Sequence, residues 1–562
     1  MPRTDSSYFN FILKNNSARF NDKITVLDAD EYDNFQYESY SSDDISYDSS
    51  TGVVTFSKGG TYEIFYSELL SNLGGSTDDY NTSPKFYIND TLKYVSVVHR
   101  ANNYDPDQQT HRAILEIPDN GTLKIMVDLS GTANCYLHPS TAVIAHRLTG
   151  YYARVHLSGS TRVFKNINPF TGSHIRETIG SQAIRTIQPD GRLLNNGGYD
   201  DTHGRLISSG SSIGTDGPTG IYSVAFNGTF GTGTVGGVSI TASQNGVDFY
   251  SRHGLNANSF DPGPVHYLHL LKKMRRDDYI SLYVQNFNTS DVLGAATNAM
   301  TEGTSFAISE VRSHAYHCCS ITGYAPNYQG RSLSISANTK KNPWKLSDTA
   351  VWDDTSNADH SASMTVHATS PYIDYDQGSG KFTVKRAGTY FVSAITNVKN
   401  GSIFSQTFTK ELRVNGSTFV SSSETHMFLN EPEYAQPMDI VTLLTLSAGD
   451  EIEYFGTAND FTWRFAQGTS MTIYKIGDDW KYKDNDFTED QYYIPEDVIS
   501  DDFTLKTYST GGASVQSKRD VPQLPFIAAH PGPLSLRGKV EVDRMTSTLN
   551  EADAERYLFT KK

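Results

Sequence analysis

Apolar and polar residues alternate along many short segments of this chain, and turn-forming residues separate the segments. The alternation is clear in VVTFS (53–57), TLKIMV (122–127) and KFTVK (381–385), with Gly, Asn, Asp and Ser between such runs. A period of two places one face of a strand in a core and the other face outside it. Many short strands of this kind predict a β-sandwich or β-barrel, and the helices that parallel βα units require are not apparent.

Four sequence landmarks recur three times along the chain in the same order. The first is a glycine with a tyrosine two positions later, at Gly60 and Tyr62, Gly220 and Tyr222, and Gly388 and Tyr390. The second is an asparagine at a predicted hairpin turn, at Asn89, Asn245 and Asn415. Asparagine tolerates the positive φ angles of tight turns. We interpret these nine residues as structural positions of a repeat rather than as ligand contacts.

The third and fourth landmarks are a strand–turn–strand unit and a closing strand. The unit reads RAILEIPDNGTLKIMV (112–127), YLHLLKKMRRDDYISLYV (267–284) and VTLLTLSAGDEIEYF (441–455). The closing strand reads TAVIAHRL (141–148), TSFAISEV (304–311) and TSMTIYKI (469–476). Because all four landmarks repeat at a common spacing, we predict three tandem copies of one all-β domain, each large enough to bury its own core.

This succession of landmarks resembles the globular heads of the tumour necrosis factor and complement-head superfamily. The third copy matches best, whereas the second departs from the pattern, with residues 275–278 in place of the Ala-Gly-Asp turn. The resemblance covers residues 25–148 and 335–476, and more weakly 195–311. It implies ten-stranded jelly-roll sandwiches and trimers packed about a threefold axis through aromatic-rich faces. The fold also recurs in viral and phage surface proteins, so it does not fix a function by itself.

The landmarks divide the chain into five predicted regions. We expect an N-terminal arm over residues 1–24, and jelly rolls over 25–150, 151–325 and 326–478, of which the second is degenerate and includes a linker. Residues 479–562 form a C-terminal extension that is acidic at first and Pro-rich later, with a capped helix start near Asn550. The extension is predicted to be irregular and partly helical and to act as an anchoring arm.

Composition narrows the classes of partner. The formal net charge is −16, which disfavours binding to nucleic acid or to an anionic membrane surface. No apolar run approaches the roughly 18 residues of a membrane helix, and the first residues lack the apolar region of a secretory signal. The three cysteines, Cys135, Cys318 and Cys319, cannot build a disulfide framework, so we expect folding in a reducing compartment.

Motifs for chemistry are scarce in this sequence. We find no phosphate loop, nucleophile elbow or HExxH zinc helix, and we predict no catalytic residue, no cofactor and no metal site. A cluster of His314, His317, Cys318 and Cys319 fits no zinc spacing, and we interpret it as a loop or strand edge after the second copy. Two acidic stretches, 28–33 and 353–357, leave calcium open as an alternative to solvated turns.

These observations together favour a structural and binding protein of a virus particle. The expected protein is not an enzyme; it assembles in the host cytoplasm, anchors to capsid or tail proteins through a terminal arm and projects its jelly rolls. Its expected partners are other virion proteins and a host-surface glycan or receptor, without nucleic acid or membrane insertion. We expect a homotrimer, with a pseudo-trimer of the three copies inside one chain as the alternative. A glycan-binding tail protein, a carbohydrate-active enzyme and a cellular adhesion module are the other hypotheses.

Overall fold

A computed structural model gives the structure of the protein. It describes residues 7–14, 18–20, 24–32, 36–72, 80–96, 99–101, 107–129, 135–148, 150–157, 161–162, 176–180, 199–200, 205–208, 220–228, 238–254, 266–275, 278–286, 299–300, 303–322, 339–345, 363–400, 405–427, 435–458, 463–465 and 468–476. Within these ranges the regular structure is β-strand apart from one 3-10 turn, Ala29–Glu31. The predicted C-terminal extension lies outside the described residues.

The first copy is a sandwich of two sheets. Its strands are β1 (Tyr8–Leu13), β2 (Ala18–Phe20), β3 (Ile24–Thr25), β4 (Tyr37–Ser41), β5 (Ile45–Asp48), β6 (Val53–Phe56), β7 (Gly60–Asn72), β8 (Tyr80–Ile88), β9 (Thr91–Val95), β10 (His99–Ala101), β11 (Asp107–Ile117), β12 (Gly121–Leu129), β13 (Cys135–Leu137) and β14 (Ala142–Arg147). One sheet has the order β2-β13-β7-β14-β1-β4 with β11 on β7. The other has the order β10-β8-β12-β6-β5, with β3 on β12 and β9 on β8.

The second copy repeats this arrangement with fewer described strands. They are β15 (Tyr152–Leu157), β16 (Thr161–Arg162), β17 (Arg176–Gly180), β18 (Tyr199–Asp200), β19 (Arg205–Ile207), β20 (Gly220–Gly228), β21 (Val238–Gln244), β22 (Val247–Gly254), β23 (His266–Met274), β24 (Tyr279–Asn286), β25 (Ala299–Met300) and β26 (Ser305–Glu310). The two main sheets have the orders β17-β15-β26-β20-β23 and β18-β19-β24-β21-β22, and β16 pairs with β25.

The third copy has the same order of equivalent strands. They are β27 (Tyr316–Thr322), β28 (Ser363–Thr369), β29 (Ile373–Asp376), β30 (Lys381–Val384), β31 (Gly388–Asn400), β32 (Ser405–Val414), β33 (Ser417–Met427), β34 (Ala435–Leu446), β35 (Glu451–Ala458), β36 (Trp463–Phe465) and β37 (Ser470–Lys475). The sheets are β28-β27-β37-β31-β34, with β36 on β31, and β29-β30-β35-β32-β33. The all-β jelly-roll prediction is confirmed for the described residues.

The first strands of the first and third copies start earlier than the sequence suggested, whereas that of the second copy, β15, starts at the predicted boundary. Residues 8–13, predicted as part of an arm, form β1 between β14 and β4, and residues 316–322, predicted at the end of the second copy, form β27 of the third. The three first strands share one register, in which Tyr8, Tyr152 and Tyr316 lie opposite His146, Ser309 and Tyr474. A starting tyrosine is a weak signal, so these strands carry no landmark that a repeat search would find.

The strand that begins at the Gly-Tyr landmark is buried on both faces. Tyr62, Ile64 and Tyr66 belong to the core of the first sandwich, whereas Phe65, on the opposite face, belongs to a cluster shared by all three copies. The third copy does the same, with Tyr390 in its own core and Phe391 in the shared cluster. One sheet of each copy therefore packs against the other copies as well as against its own partner sheet.

Candidate functional site

The glycine and tyrosine of the first landmark form a turn into the buried strand. Gly60 and Gly388 have φ angles of 151° and 152°, which L-residues with a side chain rarely adopt. The hydroxyl of Tyr62 donates to the Lys58 carbonyl (2.8 Å), and that of Tyr390 donates to the Arg386 carbonyl (2.7 Å). Both rings are fully buried, so their contacts are internal.

In the second copy the landmark tyrosine is again buried, but the landmark glycine does not have a positive φ angle. Tyr222 is 2% exposed, and its ring lies edge-on to Tyr151 with 6.4 Å between the centroids. Gly220 starts β20, and its φ lies outside the positive range found at the other two glycines. The GIYSV copy therefore preserves the buried ring without the backbone conformation that requires glycine.

The landmark asparagines connect two hairpins at one end of each copy. All three have positive φ, at 49°, 53° and 51° for Asn89, Asn245 and Asn415. Each backbone N–H donates to a carbonyl of the neighbouring hairpin, and each side-chain Oδ1 accepts the N–H of that same residue. The partners are Thr122 (3.1 and 2.9 Å), Tyr279 (3.0 and 3.0 Å) and Glu451 (2.9 and 2.9 Å).

In the second and third copies, an aspartate adds further hydrogen bonds to this link between two hairpins. We call the link the clamp. Asn245 Nδ2 donates to Asp278 Oδ1 (2.7 Å), and Asn415 Nδ2 donates to Asp450 Oδ1 (2.8 Å). The other carboxylate oxygen accepts the N–H of Arg275 or Ser447, each at 2.7 Å. Arg275 and Asp278, in the part of the sequence that departs from the pattern, thus make the same aspartate contacts as the Ala-Gly-Asp turn.

Replacing Asn415 with glycine is expected to lower the free energy of unfolding by about 1–2 kcal/mol, because glycine accepts the φ angle but loses the side-chain hydrogen bonds. Chemical denaturation of the full chain measures the loss. Asp90→Gly is the matched control, since Asp90 has a φ of 57° at an exposed turn position next to Asn89. Equal effects of the two replacements would contradict the clamp.

The three copies contact one another in a closed ring. At each boundary the second strand of an outer hairpin meets the turn before the closing strand of the next copy. The contacts are Tyr94 Oη to the Gly303 carbonyl (2.6 Å), Tyr250 Oη to the Gly468 carbonyl (2.8 Å) and Ser422 Oγ to Ser140 Oγ (3.0 Å). The turn residues Ser140, Gly303 and Gly468 are equivalent, with φ angles of 80°, 84° and 90°. The first copy contacts the second, the second the third and the third the first, as in a trimer made from one chain.

Equivalent positions around the centre of this ring carry different side chains in the three copies. Strand registers align Glu63, Ser223 and Phe391; His146, Ser309 and Tyr474; and Arg112, His269 and Val441. Only the first copy supplies a full set of ionisable groups at these positions. The three faces complement one another and are not interchangeable.

An ionic cluster lies buried at this centre. Arg112 contacts Glu63 through its guanidinium, and His146 Nε2 lies 3.1 Å from Glu63 Oε2. Arg112 also donates to the second copy, at Ser309 Oγ (3.2 Å) and the Ala307 carbonyl (3.4 Å). Burial alone would raise the pKa of Glu63, but Arg112 and His146 hold it at about 2. The carboxylate is therefore ionised and paired inside the interface.

His269 faces this cluster from the second copy. Its Nε2 lies 2.8 Å from Ser223 Oγ, and its ring packs against Phe65 and Phe391 at centroid distances of 5.6 and 5.1 Å. Its Nδ1 has no hydrogen-bond partner within the described part of the chain. Burial and the Arg112 charge lower the pKa of His269 to about 3, against an opposing effect of Glu63. The folded protein holds this imidazole neutral.

Lowering the pH is expected to destabilise the ring of three copies at pH values higher than those at which carboxylates are usually protonated. The unfolded chain protonates His269 below about pH 6.5 and the folded chain does not, so stability falls with pH from there towards pH 3. At pH 5 this one histidine costs about 2 kcal/mol relative to neutral pH. Urea unfolding at pH 7, 6 and 5 measures the slope. His269→Gln should reduce the slope by this one histidine's contribution, and the remainder should come from His138, His156, His317 and His367, whose pKa values burial also lowers. An unchanged slope in His269→Gln would contradict the assignment.

Three residues of the cysteine–histidine cluster lie inside a strand rather than in a loop or at a strand edge, whereas His314 lies in the bend before that strand. His317, Cys318 and Cys319 belong to β27, which pairs with β28 on one side and β37 on the other. Both cysteines are free and buried, and Cys318 Sγ accepts the Leu271 N–H across the copy boundary (3.2 Å). Burial raises the pKa of the Cys318 thiol to about 11, which makes it a poor nucleophile.

Acidic side chains in the stretch 28–33 accept hydrogen bonds from nearby backbone N–H groups. Asp28 Oδ1 accepts the Asp30 N–H (3.0 Å), and Glu31 Oε2 accepts the Thr25 N–H (2.6 Å). Residues 353–357, the other calcium candidate, lie outside the described residues. In the part of the chain that the structure describes, no group of three or more His, Cys, Asp or Glu side chains is placed to hold a metal ion.

Sequence reasoning identified the repeat positions and missed the central cluster. Glu63, Arg112, His146 and His269 stand at positions where the copies differ, and a repeat search selects positions where they agree. One signal was available: Glu63 lies between two core residues of an alternating strand, where the third copy has Phe391. A charged residue on a face that is aromatic in another copy indicates a second buried face.

The fold defines the chain as an all-β protein built from three jelly-roll sandwiches joined in one ring. No protein-family model matches the chain, and no curated protein matches it. Among solved structures, the Eiger tumour necrosis factor from S. frugiperda is similar over 29% of this chain and 94% of its own, at 16% identity and a TM-score of 0.18. Among the described residues, no helix is long and apolar enough to cross a membrane.

Proposed function

We propose that this chain is a structural and attachment protein of a virus particle, either a decoration protein of a phage capsid or a knob on a projecting fibre. The ring of jelly rolls is the projecting head. Segments outside the head anchor it to capsid or tail proteins, and the head stabilises the particle or meets the host surface. The ionic cluster at the centre is closed to solvent, so its role in this proposal is to hold the three copies together.

The observation that carries this proposal is that the chain enters and leaves the head at the same end. Arg147 N–H donates to the Ser7 carbonyl (2.9 Å) at the entry, and Ile476 N–H donates to the Thr389 carbonyl (2.7 Å) at the exit. The passages between copies lie at equivalent positions, where Leu148 N–H bonds Thr61 and Val311 N–H bonds Ile221, each at 2.8 Å. Two flanking segments at one end suit a head that is tethered there and free at the other.

The free cysteines and the ring both support assembly in a host cytoplasm. Cys318 and Cys319 are buried thiols, as expected of a protein that folds in a reducing compartment. The head needs no partner chain to complete its centre, because one chain supplies all three faces. A homotrimer of whole chains stays a prediction, and it would have to use surfaces other than the sheets that face the centre.

Light scattering of the purified chain is expected to give the mass of one chain, 62.2 kDa. The physical reason is that the faces that would form a trimer are already buried against each other. A mass three times larger would instead support the homotrimer. The measurement should be made over a range of protein concentrations, since a weak trimer would dissociate on dilution.

The genes next to this one provide the first test of the virion proposal. Capsid, portal or tail genes alongside would support it, and a setting of cellular metabolic genes would count against it. Electron microscopy of particles labelled with an antibody against the head is the direct measurement. Label at regular surface positions is expected, and unlabelled particles that lack the chain on immunoblots would overturn the proposal.

Partly exposed aromatic rings beside cations favour a second candidate function, the binding of a host-surface glycan. The Arg205 guanidinium lies 4.1 Å from the centre of the Tyr279 ring, and that of Arg386 lies 3.9 Å from the Tyr372 ring. Aromatic faces and guanidinium groups are groups that contact sugars. Incubation with host polysaccharide separates the candidates: retention without new reducing ends indicates a glycan-binding head, and release of reducing ends indicates a carbohydrate-active enzyme.

A further inference from the structure

A second buried polar cluster closes the boundary between the first and third copies. Lys410, Gln108 and Asp439 are 0%, 2% and 1% exposed. Lys410 Nζ donates to the side-chain carbonyl of Gln108 (2.5 Å) and to the backbone carbonyl of Asp439 (2.6 Å). A lysine amine is thus held directly against a carboxamide, and the two residues are 302 positions apart in the chain.

A chain of hydroxyl groups joins the same carboxamide to a carboxylate. Gln108 Nε2 donates to Ser67 Oγ (2.5 Å), Ser67 Oγ lies 3.0 Å from Thr110 Oγ1, and Thr110 Oγ1 lies 3.4 Å from Asp439 Oδ2. Ser140 Oγ donates to Gln108 Oε1 (3.3 Å). The carboxamide therefore has an amine and a hydroxyl at its oxygen, and a hydroxyl relay at its nitrogen.

We propose that Lys410 and Gln108 form an intramolecular isopeptide bond that links the third copy to the first. The neutral Nζ attacks Cδ of Gln108, and the negative charge that develops on Oε1 is stabilised by the Ser140 hydroxyl. The C–N bond to Nζ forms, the bond to Nε2 breaks, and ammonia leaves. The proton lost from Nζ is balanced by the one that Nε2 gains. No oxidant, reductant or further reactant is required.

Several features of the cluster suit this reaction. The reaction proceeds from the neutral amine, which is the form that burial favours for lysines in general. The fold holds Lys410 Nζ 2.5 Å from Oε1 of the same carboxamide, and intramolecular reactions reach effective molarities of about 10⁵ M or more when the reacting atoms are well oriented. The Asp439 carboxylate would take up the proton released from Nζ and return one through Thr110 and Ser67 to the leaving nitrogen, which reverses the hydrogen bonds of the hydroxyl chain as the proton passes. Asp439 is a positioning and proton-transfer group in this scheme.

The intact mass of the full, denatured chain tests the proposal. We expect it to lie below the sequence mass by one molecule of ammonia, and tryptic mapping should place the loss in a branched peptide that joins Gln108 to Lys410. Mapping is essential because Asn-Gly sequences also lose ammonia when they cyclise, and the chain has six of them, at Asn120, Asn196, Asn227, Asn245, Asn400 and Asn415. Asn400 lies in the same tryptic peptide as Lys410, so only the branched peptide itself, and not a loss of ammonia from the Lys410 peptide, supports the proposal. Separate, unmodified peptides for Gln108 and Lys410 would overturn the proposal, whether or not the variants below fold.

Two variants and a matched control test the assigned roles. Lys410→Arg should restore the full sequence mass, because arginine lacks the amine, whereas Lys381→Arg, at an exposed ion pair with Glu451, should leave the mass loss unchanged. Asp439→Asn should slow the appearance of the branched peptide at least tenfold in a time course from freshly made protein. A branched peptide that persists in Lys410→Arg would contradict the assignment of the amine, and an unchanged rate in Asp439→Asn would contradict the relay.

Discussion

Replacing Arg112 with methionine is expected to lower the free energy of unfolding by about 3–5 kcal/mol, because it leaves a buried carboxylate without its ion-pair partner. The arginine neutralises Glu63, and both side chains are almost fully buried. Without the guanidinium, the Glu63 carboxylate would stay in the interface with only His146 and the Ser309 hydroxyl (3.4 Å) as described partners, and Ser309 would lose its donor from the first copy. Urea denaturation followed by tryptophan fluorescence and circular dichroism measures the loss.

A second change should rescue most of this loss. Glu63→Leu combined with Arg112→Met replaces the ion pair with apolar side chains of similar size, and such exchanges are often neutral or stabilising. Lys381→Met, which removes an ion pair whose side chains are 34% and 36% exposed, should cost less than about 1 kcal/mol. If Arg112→Met cost no more than Lys381→Met, the buried pair would have no special importance for the ring.

Replacing Phe391 with alanine is expected to cost about 3–5 kcal/mol and to weaken the coupling between copies. Phe391 is fully buried, and its ring contacts all three copies, with centroids 4.8 Å from Phe65, 5.1 Å from His269 and 5.0 Å from Tyr474. Because the lost volume lies between the sandwiches, the copies should unfold over separate denaturant ranges instead of together. Coincidence of fluorescence and circular dichroism transitions measures that coupling.

Phe455 provides the matched control for this experiment. Its ring lies on the sheet of the third copy that faces away from the centre, is partly exposed, and is 4.8 Å from the Arg413 guanidinium. Phe455→Ala should cost less than Phe391→Ala and leave a single transition. If both variants unfolded in one transition with equal losses, Phe391 would not be a contact on which the ring depends.

The repeat positions show how much of the fold the sequence contained. Glycine, tyrosine and asparagine at Gly388, Tyr390 and Asn415 have roles that follow from intrinsic backbone and side-chain properties, so one chain was enough to identify them. The β-sandwich class followed from the same evidence, because alternation and turn residues are local features. At these positions the three copies carry the same residue type.

The centre of the ring could not be read from the sequence for a physical reason. Glu63, Ser223 and Phe391 occupy one position, and each is suitable only beside the particular residues that the other two copies present. Their identity is decided by contacts between segments far apart in the chain, which local periodicity does not report. Asp278 differs from these central residues. It makes the same contacts as Asp450 in the third copy, although the residues before it in the sequence differ between the two copies.

The position of the entry and exit points has a mechanical consequence. If the three domains were joined end to end, a pulling force would act on each of them in series, and the weakest domain would unfold first. Here, the strands nearest the two ends are β1 and β37, and the first and third copies are in contact at Asn10 and Leu443 (3.1 Å). A pull between the two flanking segments would therefore load this one seam across a short span and bypass the second sandwich. If the ring is tethered as proposed, it would move as one body, and its extension would begin with the loss of contacts at this seam.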